Sequence, residues 1–170
     1  FTLPGKVDLG FWLLELVILI ALFVYDLKWM LLPNKLVYPL SLLAIVNVVA
    51  VYVLDNNFTG LVWPFLGALA LSSLFYMLFQ VSVGNWIGGG DVKLAVALGL
   101  LAGGVRLSIA LLFIASLIGT LYALPLIAMG KGTAKMKLPF GPLLIIGLVV
   151  VKLWGPDLLS WYDQMFLIST

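Results

Sequence analysis

The sequence contains no cysteine and no histidine. Without cysteine there are no disulfides, no zinc–thiolate centres and no thiol nucleophile. Without histidine there is no imidazole metal ligand, no histidine-based triad and none of the usual general base. Charge is nearly as scarce. Only 9% of the 170 residues are charged, against about a quarter in ordinary soluble domains. The net charge of +2 describes no nucleic-acid surface, so no nucleic-acid partner is expected. Acid–base chemistry, if the chain performs any, falls to carboxylates, lysine or tyrosine.

What is present is hydrocarbon. Hydrophobic residues make up 64% of the chain, and the mean hydropathy is +1.24. These values predict an all-α, polytopic integral membrane bundle with the lipid bilayer as its surroundings, organised as one domain over residues 1–170. The chain begins at Phe1 rather than Met, the start expected of a processed or excised piece, so absent upstream modules carry no weight. No secretory leader pattern is visible.

The punctuation divides the chain into about six spans. A short lead to Gly10 precedes an apolar run from Phe11 to Tyr25. A connector from Asp26 to Lys35 contains the turn signal Pro33-Asn34. Further spans are predicted over Leu36 to Leu54, Gly60 to Val81, Asp91 to Gly103, Leu107 to Met129 and Phe140 to Leu153. Asp55-Asn56-Asn57, the Gly-rich Ser82 to Gly90, Gly103-Gly104 and a basic stretch over 130–138 separate them. The tail from Gly155 carries Trp161, Tyr162 and Phe166, as an interfacial segment would. The run from Asp91 is too short to cross a core of about 30 Å, so its glycine-rich end is expected below the membrane surface.

Lysine and arginine are unevenly shared between the two sides of this layout. Lys28, Lys35, Lys93, Lys131, Lys135 and Lys137 fall in the loops after spans one, three and five, whereas Lys6, Arg106 and Lys152 lie on the other side. The positive-inside rule makes the first set cytoplasmic and puts both termini outside. Asp26 and Asp91 then share the cytoplasmic edge, while Asp8, Asp55, Asp157 and Asp163 lie opposite. Two carboxylates sharing a site do not both ionise easily. The ionised one can activate water, and the protonated one can polarise a carbonyl, with no metal or cofactor required. The plainer reading makes Asp26 and Asp91 boundary charges beside Lys28 and Lys93. A second class, a small transporter or a non-enzymatic assembly scaffold, also uses broken helices and membrane acids. Transporters place the acid near the bilayer centre in repeated halves, and no repeat is visible here.

Three motifs carry a resemblance. Gly88-Gly89-Gly90-Asp91 fits Gly-x-Gly-Asp, Asp26 through Pro33-Asn34 fits a first-aspartate motif, and Phe140-Gly141-Pro142 follows the basic stretch. In this order they resemble the type IV prepilin peptidases, membrane aspartic peptidases of the Gly-x-Gly-Asp kind. The resemblance implies cleavage of the leader of prepilin, pseudopilin or preflagellin precursors at the cytoplasmic face of the plasma (inner) membrane. It makes Asp26 and Asp91 the catalytic pair, and Gly88 and Gly90 the motif glycines that let substrate approach. Many bacterial members also carry a cytoplasmic domain with four zinc-binding cysteines and methylate the new N-terminus from S-adenosylmethionine. This chain has neither cysteine nor a polar insert after its first span, which puts methylation in doubt and leaves no cofactor or metal expected. Short members, archaeal preflagellin peptidases among them, lack that domain too.

Smaller expectations concern the remaining polar residues and glycines. Glu15, eleven residues before Asp26 and on nearly the same helix face, is placed near the outer edge, snorkelling or paired, with contact to substrate or a coupling cation as the alternative. Asn47 and Gln80 are expected to hydrogen-bond between helices, and Gly67, Gly99, Gly119 and Gly147 to permit close packing. Asp91 at a helix start and Asp26 at a helix end should differ in charge state, with Asp91 ionised and Asp26 protonated.

Overall fold

In a computed structural model, which describes residues 3–85, 87–129 and 139–166, the chain is a bundle of six helices with no strand among the described residues. They are α1 (Leu3–Trp29), α2 (Asn34–Leu54), α3 (Val62–Ser82), α4 (Gly89–Ala102), α5 (Val105–Ala128) and α6 (Phe140–Phe166). Five of them, all but α4, are long and apolar enough to cross a membrane. The chain is a multi-pass membrane protein. The basic stretch with Lys131, Lys135 and Lys137 lies outside the described residues.

Three helix limits depart from the sequence reading. The lead before Gly10 is the first part of α1, because Pro4 in the first turn removes an N–H that has no helical partner anyway. The tail from Gly155 is not a separate segment, since α6 runs through Pro156 to Phe166. The first connector is also shorter than expected. Asp26 lies within α1, a turn before its end, and Met30 closes the helix in the left-handed conformation with φ 50°.

The 14-residue α4 is the centre of the molecule. It packs against α2, α3, α5 and α6, most extensively against α3. Leu94, Ala95, Ala97, Leu98, Leu100 and Leu101 are all buried, so it offers little face to lipid. Small residues make this possible. A β-carbon on Gly99 would stand 2.5 Å from the Ala68 Cα of α3, one on Gly67 2.8 Å from the Gly104 backbone, and one on Gly147 2.7 Å from the Leu111 carbonyl oxygen. On Gly119 it would meet Leu143 Cδ1 at 2.9 Å. At Gly67, Gly99 and Gly147 backbone comes against backbone, whereas Gly119 makes room for a side chain. The Gly103-Gly104 turn joins α4 to α5, with Gly103 at φ 86°. The large apolar side chains that stay exposed, such as Leu13, Val17, Leu69, Phe113 and Leu121, point outward, as they do when the surrounding solvent is hydrocarbon.

Among the described residues, charged side chains other than Glu15 collect at the two ends of the bundle. At one end Lys93 Nζ donates to Asn34 Oδ1 at 2.9 Å and lies over the Tyr38 ring. At the other, Arg106 pairs with Asp163 and Lys152 with Asp8.

Candidate active site

Asp91 is the third residue of α4. The chain enters the helix through Gly88 in an extended conformation, and the Gly88 N–H donates to Asp91 Oδ2 at 3.2 Å. This is half of a capping box, because Gly88 has no side chain to return the bond. Gly90 serves a second purpose. A β-carbon there would lie 2.9 Å from Leu32 Cβ, so the short connector after α1 sits directly against the start of α4. The other oxygen of Asp91, Oδ1, is buried without a hydrogen-bond partner.

Asp26 is 5% exposed. Its Oδ2 accepts the backbone N–H of Gly141 at 3.1 Å. Gly141 is the second residue of α6, and a β-carbon on it would stand 2.6 Å from that same oxygen. The Phe-Gly-Pro segment thus has three separate tasks. Phe140 packs its ring on the buried Phe75 of α3 at 5.8 Å. Gly141 makes room for the Asp26 carboxylate and donates to it. Pro142 occupies the first turn of α6, where no N–H is needed.

The two acids therefore have the same kind of partner. Each accepts one backbone N–H from a glycine at the start of a helix, Asp91 from its own helix and Asp26 from α6. The expectation that Asp26 experiences only the carbonyl end of α1 does not survive this geometry, and the helix-end contrast used to divide the charge between them disappears. Asp91 lies outside the five long spans. Burial pushes its carboxyl up, the nearby Asp26 carboxylate pushes it further, the Gly88 N–H opposes both, and the result is about 6. Leu32 touches the positions of Gly90 and Gly141 alike, so three segments remote in sequence converge around the acids. Among the described residues no ion pair reaches either carboxylate. Lys93 turns to Asn34 and Tyr38, and Lys28 lies over Trp29.

Other polar residues divide differently. Asn47 does bridge helices, donating to Glu15 and Asp8 of α1. Gln80 bonds Tyr76 in its own helix at 2.6 Å. Glu15 is paired rather than snorkelling, since its side chain is fully buried and takes the Asn47 amide. The site residues missed by motif reading are Leu32 and the amide of Gly141. A leucine carries no chemical signal, and a backbone N–H carries none in sequence at all.

Six helices that hold two inward-facing acids at one end, Asp26 buried and Asp91 half-buried, define a class, that of membrane proteins with a carboxyl pair at one end of the bundle. The sequence model of the type IV leader peptidase family matches residues 13–124, a stretch that includes both acids. The chain belongs to the type IV leader peptidase family. It is similar to the prepilin leader peptidase/N-methyltransferase of Bacillus subtilis, 33% identical over 151 residues, which are 88% of this chain and 58% of that protein. The proteins of the same name from Aeromonas salmonicida and Legionella pneumophila are 34% and 32% identical over 85% and 92% of this chain, and 49% and 54% of their own length. The chain spans about half the length of these relatives. No solved structure matches it.

Proposed function

We propose that the chain is a membrane-embedded aspartic endopeptidase that removes the leader from type IV prepilin-like precursors, with Asp26 and Asp91 as its catalytic pair. The observation that carries this reading is the convergence of the buried Asp26 and the half-buried Asp91, each on a helix-start N–H, with the buried Oδ1 of Asp91 left unpartnered. Such a pair takes up a proton more readily than an isolated carboxylate, and the reaction runs from its singly protonated form. A water beside it gives a proton to the ionised carboxylate and attacks the scissile carbonyl carbon. The protonated carboxyl hydrogen-bonds the carbonyl oxygen as its charge grows. Collapse of the tetrahedral intermediate breaks the C–N bond and passes a proton to the leaving amine. The unpartnered Oδ1 is a place for the attacking water. Which carboxyl holds the proton at rest is a property of the coupled pair.

The substrate in this reading is a single-span precursor whose short leader meets the acids at the cytoplasmic edge of the inner membrane. The lysine bias in sequence supports that side. In reconstituted vesicles with a candidate prepilin, Asp26→Asn and Asp91→Asn should each cut leader cleavage by more than about tenfold, one decade of transition-state energy. Both variants should insert normally. Either variant keeping more than that tenth of the wild-type rate would remove the dyad assignment.

A further inference from the structure

The two acids are brought together by helices that are not each other's main partners. α1, which carries Asp26, packs chiefly against α2 and α6, whereas α4, which carries Asp91, packs against α2, α3, α5 and α6. Their common neighbours are α2 and α6. On the α6 side the Gly141 N–H holds Asp26 directly. On the α2 side the tie runs through other residues, and it is short. The N–H of Met30 donates to the carbonyl oxygen of Asp26 at 2.8 Å, and Met30 then turns the chain with φ 50°. Pro33 fixes the entry to α2 at φ −67°, and Asn34 is the first residue of that helix.

Asn34 Oδ1 accepts the Lys93 ammonium at 2.9 Å, and that ammonium lies 5.4 Å from the centre of the Tyr38 ring. Lys93 is the fifth residue of α4, two after Asp91. Positions two apart on a helix differ by about 200°, so Lys93 grips α2 from the side of α4 turned away from Asp91. Each acid thus has a polar residue a short way along the chain, Asn34 after Asp26 and Lys93 after Asp91, and those two residues bond each other. Leu32, in the same connector, rests against the positions of Gly90 and Gly141. An apolar contact of that kind brings segments close but is non-directional. The bond from Lys93 to Asn34 has a direction and a length, so it specifies the height and rotation of the first turns of α4 relative to α2.

We propose that Lys93 is a positioning residue for the carboxyl pair: its bond to Asn34 holds the start of α4 on the start of α2 and thereby sets where Asp91 stands relative to Asp26. This inference rests on the peptidase reading of the pair. It gives Lys93 no contact with the reacting atoms, and its ammonium acts through Asn34 and Tyr38.

The test is leader cleavage of a candidate prepilin by the full chain in reconstituted vesicles, with kcat and KM measured separately. Rates are expressed per mole of folded protein, so a variant that only destabilises the bundle reads as wild type. Lys93→Met keeps the stem and removes the donor. It should lower kcat by about tenfold or more at unchanged KM, because a displacement on the order of 1 Å at a reacting pair costs up to about 100-fold. Asn34→Ala removes the same bond from the other end and should do the same, which keeps the test open should Lys93→Met fail to fold. The double variant should lose no more than either single one, since both delete one interaction. Lys93→Arg still donates to Asn34 and should keep most of the rate. Losses that multiply in the double variant, or a Lys93→Arg as slow as Lys93→Met, would overturn the proposal. A loss confined to KM would overturn it in favour of contact with substrate. Asp26→Asn in the same assay separates the two readings. With that variant inactive, a wild-type kcat in Lys93→Met overturns this inference alone, and an active Asp26→Asn removes the peptidase pair and this inference with it.

Discussion

Asp91 weakens the fold that holds it. In the unfolded chain an aspartate titrates near 3.8, and burial beside Asp26 moves Asp91 up to about 6. Between those values the folded state binds more protons than the unfolded one, so stability falls as pH rises through the window. The penalty is complete above about 6 and absent below 3.8. Two pH units correspond to on the order of 2–3 kcal/mol. Asp91→Asn keeps an acceptor for the Gly88 N–H and carries no charge, so it should melt about 4–10 °C above the wild type at pH 7.5. The gap should close on acidification toward pH 4. Calorimetry of the two proteins across this range checks it, and equal melting temperatures at pH 7.5 would mean that Asp91 is better solvated than its surroundings indicate. A substitution that stabilises the protein while removing cleavage is the expected signature of an acid kept for chemistry.

Glycine spacing governs how the helices meet, and three glycines should respond in three distinct ways. A β-carbon at Gly10 in α1 meets nothing within 4 Å. Gly10→Ala should therefore be neutral, or stabilising by up to about 1 kcal/mol from helix propensity. At Gly99 the β-carbon would strike the Ala68 backbone, which cannot turn aside as a side chain can. Gly99→Ala should cost about 1–3 kcal/mol through separation of α4 from α3. Gly141→Ala acts on Asp26 Oδ2. Its main effect should be on rate, with leader cleavage lowered by at least about tenfold at nearly unchanged stability, because one displaced carboxylate is a local event. Parallel melting and cleavage assays on the three variants separate these outcomes. An active Gly141→Ala would show that the contact between α6 and Asp26 is incidental to turnover.

At the scale of the molecule, the asymmetry between the bundle's two ends is what the proposed orientation in the membrane rests on. One end holds Asp26, Asp91, Lys28 and Lys93, and the other holds the Asp8–Lys152 and Arg106–Asp163 pairs. Asn85 and Asn56 are exposed in loops at opposite ends. The absence of native cysteine makes single probes unambiguous. In intact cells a cysteine at Asn56 should react with an impermeant maleimide, and one at Asn85 only after the membrane is opened. The reverse labelling would turn the carboxyl pair away from the cytoplasm and from leader peptides presented there.

The sequence by itself determined the class and most of the spans. Hydropathy and length act residue by residue along a helix, and the bilayer forces helix on any long apolar run. It also marked Asp26 and Asp91, because a charge among apolar residues is conspicuous whatever surrounds it. Local pattern misjudged the places where a residue's neighbours are distant in sequence. Glu15 read as snorkelling or paired with no partner named, because one-dimensional position says nothing of Asn47, 32 residues away. Gln80 read as an interhelical donor, yet its partner is one turn back in the same helix. Asp26 read as a helix-end acid facing carbonyls, until α6 brought the N–H of Gly141 across 115 residues. Tertiary structure decided these points because hydrogen bonds and Coulomb forces act over a few ångströms, and only the packing of α1, α2, α4 and α6 determines which groups come that close.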